Sequence, residues 1–339
     1  MPDVIRVALV GYGYAGRTFH APLISAVEGL RLYGVVTGAP DAVRRDWPEA
    51  HCFADLTTAL ADPAVDLVVL ATPNAVHAAQ AHAALAAGRH VVVDKPFTVT
   101  VAEAEAVTAH AEQAGRVLAI FHNRRWDSDF LTLRALLAEG ALGEVTYLES
   151  RFDRHRPAVR DRWRERPGPG AGLWFDLGPH LLDQALLLFG PPDDLVADLA
   201  RLREGAQVDD YFHVVLRYKR RRVVLHASTL VLANDTRFAV HGTRGSFVKE
   251  GVDPQEEALK AGRTPGDATW GVDARPGILT TMEGDAVVRH EVTPLPGDYR
   301  RFYAGVRDAI LGRGGVPVSG RAGAEVMRWV ARAMGNGTD

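Results

Sequence analysis

Three ionisable residues are spaced so that they could move a proton and stabilise a negatively charged oxygen. Lys95 lies in Asp94-Lys95-Pro96 at the end of an apolar run, and Asp176 and His180 occur together in GLWFDLGPHLLD, residues 172–183. Histidine has an ordinary pKa near ~6.5, which suits a base near neutrality, and an ammonium group stabilises an oxygen that gains charge. The three residue types together predict the interconversion of an alcohol and a carbonyl.

The spacing of Asp176 and His180 predicts a shared helix face, because side chains four residues apart lie one above the other. Asp176 could then orient His180 or bind a substrate hydroxyl. Pro179 fits best in a first helical turn, so the helix is expected to begin near Asp176 and to end before Gly190. Each residue also has a purely structural interpretation: a surface lysine, a helix N-cap and a packed histidine. Their joint occurrence favours catalysis.

A glycine pattern at the start of the chain predicts a dinucleotide site. VIRVALVGYGYAG, residues 4–16, reads as a strand that runs directly into G-x-G-x-x-G. In this motif the first glycine allows a tight turn, the second lets a pyrophosphate approach the backbone, and the third lets the helix pack on the strand. The helix N-terminus offers free amides to phosphate. The candidate cofactor-binding residues of this loop are Gly11, Gly13, Tyr14, Ala15 and Gly16.

The end of the second predicted strand bears on the choice of cofactor. An NAD-selective site usually places an acid there for the ribose 2′-hydroxyl, but Val35-Val36-Thr37-Gly38-Ala39 has none. Small residues around Thr37 leave room for a 2′-phosphate, and Arg44 and Arg45 follow closely. NADP is therefore predicted, with NAD as the alternative, although the arginine pair could equally form an exposed helix face.

Two further segments are candidates for the same cofactor. Thr72-Pro73-Asn74 follows the apolar strand 65–71, where Thr72 and Asn74 could donate to ribose or phosphate. The alternative for this segment is a plain strand-to-helix turn. Lys95 could also hydrogen-bond a cofactor ribose. Cofactor contacts are thus predicted at the ends of several consecutive strands.

Two patterns along the chain predict two domains. The first 120 or so residues alternate strand and helix signals, which is typical of a parallel sheet with crossover helices. Strand-like segments joined by short polar turns follow Gly143 and predict a mostly antiparallel sheet. The stretch 251–275 is rich in Gly, Pro and Asp and is expected to be a long surface loop. The prediction is an α/β Rossmann domain over 1–122 and an α+β domain with a large, open, mostly antiparallel sheet over 123–339.

Composition excludes several classes of protein. The 339 residues are 47% hydrophobic with a net charge of −3, which gives no electrostatic case for nucleic acid or an anionic membrane. A single cysteine, Cys52, excludes an intramolecular disulfide, and the histidines form no ligand pair, so no metal is predicted. No apolar run approaches the ~18 residues of a membrane span, and no signal-peptide pattern is seen. A cytoplasmic location is expected.

The motifs together resemble the Gfo/Idh/MocA oxidoreductase family over nearly the whole chain. GYGYAG matches the family's nucleotide loop, and Asp94-Lys95-Pro96 stands where the family usually has Glu-Lys-Pro. Asp176, Gly178, His180 and Asp183 match its D-x-G-x-H-x-x-D stretch. The chain is most similar to the NADP-dependent scyllo-inositol dehydrogenase-like branch, through segments that include FHAPLI, FHNRRWDSDFLTL and VDDYFHVVLRY. That branch often has Ser-Ser-Arg after strand two, where this chain has no arginine.

The resemblance implies an activity and an assembly. It implies hydride transfer between NADP and a secondary alcohol or ketone of a cyclitol or sugar, by a homo-dimer or homo-tetramer that associates through the C-terminal sheet. An aldose or 1,5-anhydrosugar oxidoreductase and a non-catalytic NAD(P)-binding sensor are the alternatives. It places Lys95 and His180 at the reacting carbon with Asp176 beside them.

Further site residues follow from the resemblance alone. Arg124 and Asn123 are implied near the cofactor or the substrate. The candidate substrate-binding residues are Lys95, Asn123, Asp176, His180 and Tyr211, with Asp153, Arg154 and Trp163 as weaker candidates.

Overall fold

Short and almost wholly apolar strands build the first sheet, because helices cover both of its faces. The strands are β1 (Ile5–Val10), β2 (Leu30–Val36), β3 (His51–Phe53), β4 (Leu67–Leu70), β5 (His90–Val93) and β6 (Leu118–Ile120). Their order is β3-β2-β1-β4-β5-β6, and all neighbours pair in parallel. This confirms the predicted Rossmann arrangement, in which the strand order reverses between β1 and β4.

The structure is a computed structural model that describes residues 4–233 and 236–335. These residues form two units. The first consists of the chain up to Asn123 with Gln255–Trp270 and Asp298–Met327, and the second of Arg124–Pro254, Gly271–Gly297 and the described residues from Arg328 onward. Each unit is therefore assembled from several stretches of chain. The division at residues 122 and 123 stays a prediction.

Helices connect the strands of both sheets. A π-helical turn, Gly16–His20, follows β1 and runs into the first α-helix. The helices are α1 (Ala21–Ser25), α2 (Pro40–Asp46), α3 (Leu56–Ala61), α4 (His77–Ala86), α5 (Val101–Gln113), α6 (Ser128–Ala138), α7 (Leu173–Phe189), α8 (Gln255–Lys260), α9 (Arg300–Ile310) and α10 (Gly320–Gly335). Among the described residues, no helix combines the length and apolarity that a membrane crossing requires.

Segments distant in sequence complete the first unit. The Ile120 amide at the end of β6 donates to the Val318 carbonyl at 3.0 Å, and Phe121 packs edge-on against Phe302 with ring centroids 5.0 Å apart. These contacts attach the last part of the chain to the edge of the parallel sheet.

The predicted surface loop over 251–275 is wrong in part, because it contains α8 and buried anchors. Gln255 and Trp270 are buried, and the Trp270 indole donates to the Gln255 side-chain oxygen at 3.1 Å. That oxygen also accepts the Tyr299 amide at 2.7 Å. The glycine and proline content of the segment reflects the turns around these anchors.

The second sheet has eight strands, and the predicted large, mostly antiparallel sheet is confirmed. They are β7 (Val145–Arg151), β8 (Asp194–Ala200), β9 (Tyr211–Tyr218), β10 (Arg221–Ser228), β11 (Thr236–Gly242), β12 (Gly245–Glu250), β13 (Gly277–Glu283) and β14 (Ala286–Val292). Their order is β14-β13-β12-β11-β7-β10-β9-β8, and only β7 and β10 pair in parallel among these described strands.

One face of the second sheet packs on α7. Phe212, Val214 and Leu216 alternate along β9 and are buried, and Trp174 of α7 lies edge-on to Phe212 with ring centroids 4.9 Å apart. The intervening residues of β9 point to the opposite face, because successive strand side chains alternate. That opposite face is only partly buried at the edge of the sheet. Val196 of the edge strand β8, for example, is 45% exposed.

A capping box opens α5. Thr100 Oγ1 accepts the Glu103 amide at 3.2 Å, and a Glu103 carboxylate oxygen accepts the Thr100 amide at 2.9 Å. Each side chain thereby satisfies an amide that the helix leaves without a partner.

We expect Thr100→Ala to lower the free energy of unfolding by about 1 kcal/mol, because it removes the hydroxyl that caps α5. Urea denaturation of the wild type and the variant measures the loss. Thr100→Ser keeps the hydroxyl and serves as the control. Equal losses in the two variants would show that the methyl group, and not the cap, is what matters.

Candidate active site

The loop after β1 has the geometry of a phosphate cradle. Gly11 has a φ of 97°, and a Cβ on it would lie 2.6 Å from the Ala71 carbonyl oxygen. A Cβ on Gly16 would lie 2.1 Å from the Gly11 carbonyl oxygen, whereas a Cβ on Gly13 would meet no atom of the described residues within 4 Å. The first and third glycines therefore serve the turn and the packing, and the second leaves bare backbone for a phosphate to approach. The loop fits a dinucleotide.

Gly11 and Gly13 border a cleft of about 590 Å³ in the first unit. The cleft lies where β1, β2 and β4 end, which is where folds of this type bind their ligands. Its lining includes Gly11, Gly13, Thr37, Ala39, Asp55 and Thr72. Four predicted cofactor residues, Gly11, Gly13, Thr37 and Thr72, are thus brought together around one cavity.

Asp55 is a lining residue that the sequence analysis missed. One of its carboxylate oxygens accepts the Thr58 amide at 2.7 Å and the Thr58 hydroxyl at 2.8 Å, and these bonds lower the pKa of Asp55. The carboxylate is the N-cap of α3, which is a structural role. An aspartate three residues before a threonine at a helix start is the signal that could have identified it.

The other predicted cofactor residues of this unit do not line the cleft. Arg44 is exposed and pairs with Asp41 on the same helix at 2.9 Å. Tyr14 is exposed but donates its hydroxyl to Glu256 at 2.9 Å, and partial burial together with that carboxylate raises the pKa of Tyr14 to about 12. The remaining candidates are Ala15 before the π-helical turn, Pro73, and Asn74, which is buried.

Lys95 follows β5, and its backbone is fixed by a buried network. The Lys95 amide donates to Asp94 Oδ1 at 2.8 Å. His20 Nε2 lies 3.8 Å from the same oxygen, and its Nδ1 lies 2.5 Å from the Tyr303 hydroxyl. Burial opposes ionisation of Asp94, but the charges and hydrogen bond of its neighbours outweigh it and lower its pKa. His20 and Tyr303 therefore support the carboxylate that holds the Lys95 amide, and sequence reasoning missed both.

In the second unit, Asp176 and His180 lie in the first turns of α7. The prediction that this helix begins near Asp176 is wrong, since it begins at Leu173 and Pro179 lies inside it. Asp209 accounts for the difference, because its carboxylate accepts the Trp174 amide at 2.6 Å and caps the helix. The four-residue spacing of Asp176 and His180 on one helix is as predicted.

Asp176 lies between two arginines of the loop that follows β7. Arg154 Nη1 is 3.8 Å from one carboxylate oxygen, and Arg164 Nε is 3.6 Å from the other. The Asp176 side chain is 20% exposed, whereas His180 is buried. The end of α7 that carries the predicted base is therefore reachable from solvent at Asp176.

Asp183, the last residue of the motif, holds α7 in place. Arg125 donates to its two carboxylate oxygens at 2.8 and 2.6 Å, and both side chains are largely buried. Such a two-pronged pair fixes geometry strongly. One helical position further, the Gln184 side-chain Nε2 donates to the Arg124 backbone carbonyl at 2.8 Å. The motif thus includes a structural anchor next to the predicted site residues.

The remaining predicted residues lie in separate surroundings. Arg124 is buried in the second unit, 3.3 Å from Asp127 and stacked 4.5 Å from the Phe152 ring centroid. Asn123 is the last residue of the first stretch of unit one and is buried. Tyr211 lies on the sheet face opposite to α7, so it is not brought to Asp176 and His180 within this unit.

Two of the weaker candidates also have local roles. Asp153 lies 3.3 Å from His226, and Trp163 is 40% exposed with the Arg164 guanidinium 4.6 Å from its ring centroid. Among the described residues, no three His, Cys, Asp or Glu side chains come together as a metal site would need.

The carboxyl that caps α7 makes stability depend on pH. Burial, and secondarily the neighbouring Asp210, raise the pKa of Asp209 to about 6, although hydrogen bonds from the α7 amides oppose the shift. The pKa of Asp209 in the folded protein lies above its ordinary value of 3.8. Between pH 3.8 and about 6, the folded state therefore keeps a proton on Asp209 that the unfolded state has released. The stability contributed by this group is fully present below the ordinary pKa and is lost as the pH rises through 6.

We therefore expect Asp209→Asn, which keeps an acceptor for the Trp174 amide, to raise the free energy of unfolding at about pH 8 by on the order of 2 kcal/mol. At about pH 4 the difference should nearly vanish. Urea denaturation at both pH values measures it, with the exposed Asp285→Asn as control. A variant that is less stable than the wild type at about pH 8 would contradict the expectation.

Two family models match the chain. The model of an oxidoreductase family, NAD-binding Rossmann fold, matches residues 5–122, and that of an oxidoreductase family, C-terminal alpha/beta domain, matches residues 134–335. Together the two matches cover most of both described units.

Relatives match along almost their full length. The chain is 53% identical over 330 residues to a protein of Escherichia coli (strain K12) named uncharacterized oxidoreductase YdgJ, with 97% of this chain and 95% of that protein covered. It is 38% identical over 334 residues to scyllo-inositol 2-dehydrogenase (NADP(+)) IolW of Bacillus subtilis (strain 168), with 98% and 93% covered. The solved structure of the YPO2259 putative oxidoreductase from Yersinia pestis is 51% identical, with a TM-score of 0.96 over 99% of this chain and 95% of that one.

Proposed function

We propose that this chain, which belongs to the Gfo/Idh/MocA oxidoreductase family, transfers hydride between NADP(H) and a secondary alcohol or ketone of a cyclitol or sugar. The observation that carries the proposal is the glycine cradle of Gly11, Gly13 and Gly16, which opens on a cleft at the switch point of the parallel sheet. The relative named as an NADP(+)-dependent scyllo-inositol 2-dehydrogenase supports the cofactor and the substrate class.

The chemistry is divided among three side chains of this chain. A bound nicotinamide supplies the acceptor or donor of hydride. His180 takes the hydroxyl proton during oxidation and returns it during reduction, which suits the ordinary titration range of histidine. Lys95 stabilises the oxygen as negative charge grows on it, and Asp176 orients His180 or binds a neighbouring hydroxyl.

The preference for NADP rests on the residues near the end of β2. Thr37 and Ala39 line the cleft there without a carboxylate that would repel a 2′-phosphate. Asp55 lines the same cleft, but it follows β3 rather than β2, and its carboxylate accepts two hydrogen bonds from Thr58. Gly13 and Thr72 are proposed to contact the pyrophosphate and ribose. Arg124 is the remaining cofactor candidate and Asn123 the remaining substrate candidate, whereas Tyr211 lies on the sheet face opposite α7 and is not assigned to this site.

Cofactor titration followed by a substrate screen tests the proposal. The purified protein is titrated with NADPH and NADH by fluorescence, and then assayed with myo-inositol, scyllo-inositol, common aldoses and 1,5-anhydrofructose. We expect tighter binding of NADPH than of NADH and turnover of at least one cyclitol or sugar. Tight binding without any turnover would favour a sensor, and no binding of either nucleotide would refute the proposal.

The assembly and location follow as further proposals. The partly exposed face of the second sheet, opposite α7, is a candidate interface for a homo-dimer or homo-tetramer, since most oligomers of soluble proteins are symmetric. Light scattering at micromolar concentration tests it, and a monomer would exclude it. A cytoplasmic location stays a prediction.

A further inference from the structure

A loop next to α7 carries an excess of positive charge. The arginine loop, residues 154–166, contains six arginines and only two acidic residues. Both acids are engaged within the loop: Glu165 pairs with Arg162 at 2.8 Å, and Asp161 pairs with Arg166. The positive charge that remains belongs to Arg154, Arg156, Arg160 and Arg164.

Two of these remaining arginines face a single carboxylate. Arg154 and Arg164 approach opposite oxygens of Asp176, at 3.8 and 3.6 Å. Both distances exceed the ~2.7–2.9 Å of a charge-assisted hydrogen bond, so neither guanidinium uses its donors fully on that partner. Their side chains are 24% and 31% exposed, so solvent reaches both arginines.

Arg156 adds a third cation that has no ion-pair partner of its own among the described residues. Among the described residues, no carboxylate lies within 4.0 Å of its guanidinium, and its side chain is half-buried. Burial, together with repulsion from Arg154, Arg160 and Arg162, lowers its pKa, and Asp176 offsets this only in part. Three guanidiniums therefore share one carboxylate in partly dehydrated surroundings.

The arginine loop is held in this position by a buried clamp. Arg203 is buried and pairs with Asp210 at 2.8 Å and with Glu165 at 3.1 Å. It also donates to the Arg156 and Ala158 carbonyls, at 3.3 and 3.1 Å. A freely solvated run of arginines would not need such an attachment. The positive charge is fixed beside α7 and does not simply extend into solvent.

We infer that the substrate of the proposed reaction carries an oxyanion group, a carboxylate or a phosphate monoester, that Arg154, Arg156 and Arg164 bind beside Asp176. The planar guanidinium fork matches both kinds of oxyanion. Asp176 and His180 are one helical turn apart, so the anionic group would lie within the reach of one sugar ring from the proposed base. The inference rests on the proposed function, because it places this group on the molecule that His180 acts on.

Matched neutral and anionic substrates test the inference. Glucose is compared with glucuronate and with glucose 6-phosphate, and myo-inositol with myo-inositol 1-phosphate, using the preferred cofactor. We expect kcat/KM for at least one anionic member to exceed that of its neutral parent by about tenfold or more, and the advantage to shrink with added salt. A higher kcat/KM for glucuronate indicates a carboxylate ligand, and a higher kcat/KM for the phosphorylated compounds indicates a phosphate monoester. Neutral parents that react as well as every anionic member would overturn the inference and leave the proposed function standing.

Variants identify the residues. Arg156→Gln and Arg164→Gln should each lower the ratio of anionic to neutral kcat/KM by about tenfold. Arg166→Gln is the matched control, because Arg166 lies in the same loop but is exposed and paired with Asp161. Melting temperatures show which variants fold. A result from either Arg156→Gln or Arg164→Gln is enough to test the assignment. An unchanged ratio in a folded test variant would overturn the assignment.

Calorimetry separates the two proposals if no substrate turns over. The wild type is titrated with glucuronate, myo-inositol 1-phosphate and myo-inositol. Anion binding that weakens about tenfold in Arg156→Gln, without turnover, would support the anion site and favour a sensor over the proposed hydride transfer. No detectable binding of either anion to the wild type would overturn the inference.

Discussion

His180→Asn should lower kcat by about 10²- to 10⁴-fold on any good substrate, while the dissociation constant for NADPH stays unchanged. The side chain is buried on α7, one turn from Asp176, and asparagine has a similar size but cannot take up a proton. The loss should appear in kcat and in kcat/KM alike, because the proton moves only in the reacting complex.

His290→Asn is the matched control for this variant. His290 lies on β14, is exposed, and pairs only at the surface with Glu283 among the described residues. It should keep the activity of the wild type. A His180→Asn protein that melts at the wild-type temperature and keeps kcat within about threefold would exclude His180 as the base.

Gly16→Ala should lower the free energy of unfolding by at least about 3 kcal/mol, and with it nucleotide binding. The new Cβ would lie 2.1 Å from the Gly11 carbonyl oxygen. Since that oxygen belongs to the backbone, the clash is relieved only if the strand and the helix that follows move apart. Thermal and urea denaturation measure the loss of stability.

Gly13→Ala separates folding from binding in the same loop. A Cβ there would meet no atom of the described residues within 4 Å, so the melting temperature should stay the same. The methyl group would instead stand where the pyrophosphate is proposed to approach, and the dissociation constant for NADPH should rise by about tenfold or more. Equal stability losses in the two variants would contradict the separate roles of the two glycines.

Much of the first unit could be predicted because its signals are local. The strand that ends at Val10 is apolar apart from Arg6. The glycines that follow it indicate a tight turn and a close backbone approach from their residue type alone. The capping box at Thr100 is equally local, since both partners lie within one helical turn. Such features need no knowledge of what else the chain places nearby.

Features that depend on distant partners could not be predicted. The start of α7 at Leu173 depends on Asp209, which lies 35 residues away from the amide that it caps. The fixing of Lys95 depends on His20 and Tyr303, which come from near the two ends of the sequence. No periodicity or motif encodes such contacts, because they exist only once the chain has folded.

Arg203 illustrates the same limit for the candidate substrate site. In the sequence it is an ordinary arginine in a polar stretch. In the structure it is buried and anchors the arginine loop beside Asp176. The charge of that loop can be read from its composition, but its fixed position cannot.

The interleaved composition of the two units limits how the protein can be recombined. The first unit includes Gln255–Trp270 and Asp298–Met327, which follow most of the second unit in the sequence. A chimera that exchanges only the N-terminal stretch between two relatives would inherit mismatched neighbours for Ile120 and Phe121, whose partners Val318 and Phe302 come from the other parent. An exchange of the whole first unit between relatives must therefore transfer three separate segments together. Divergence of this unit is expected to proceed instead by co-ordinated substitutions within one gene.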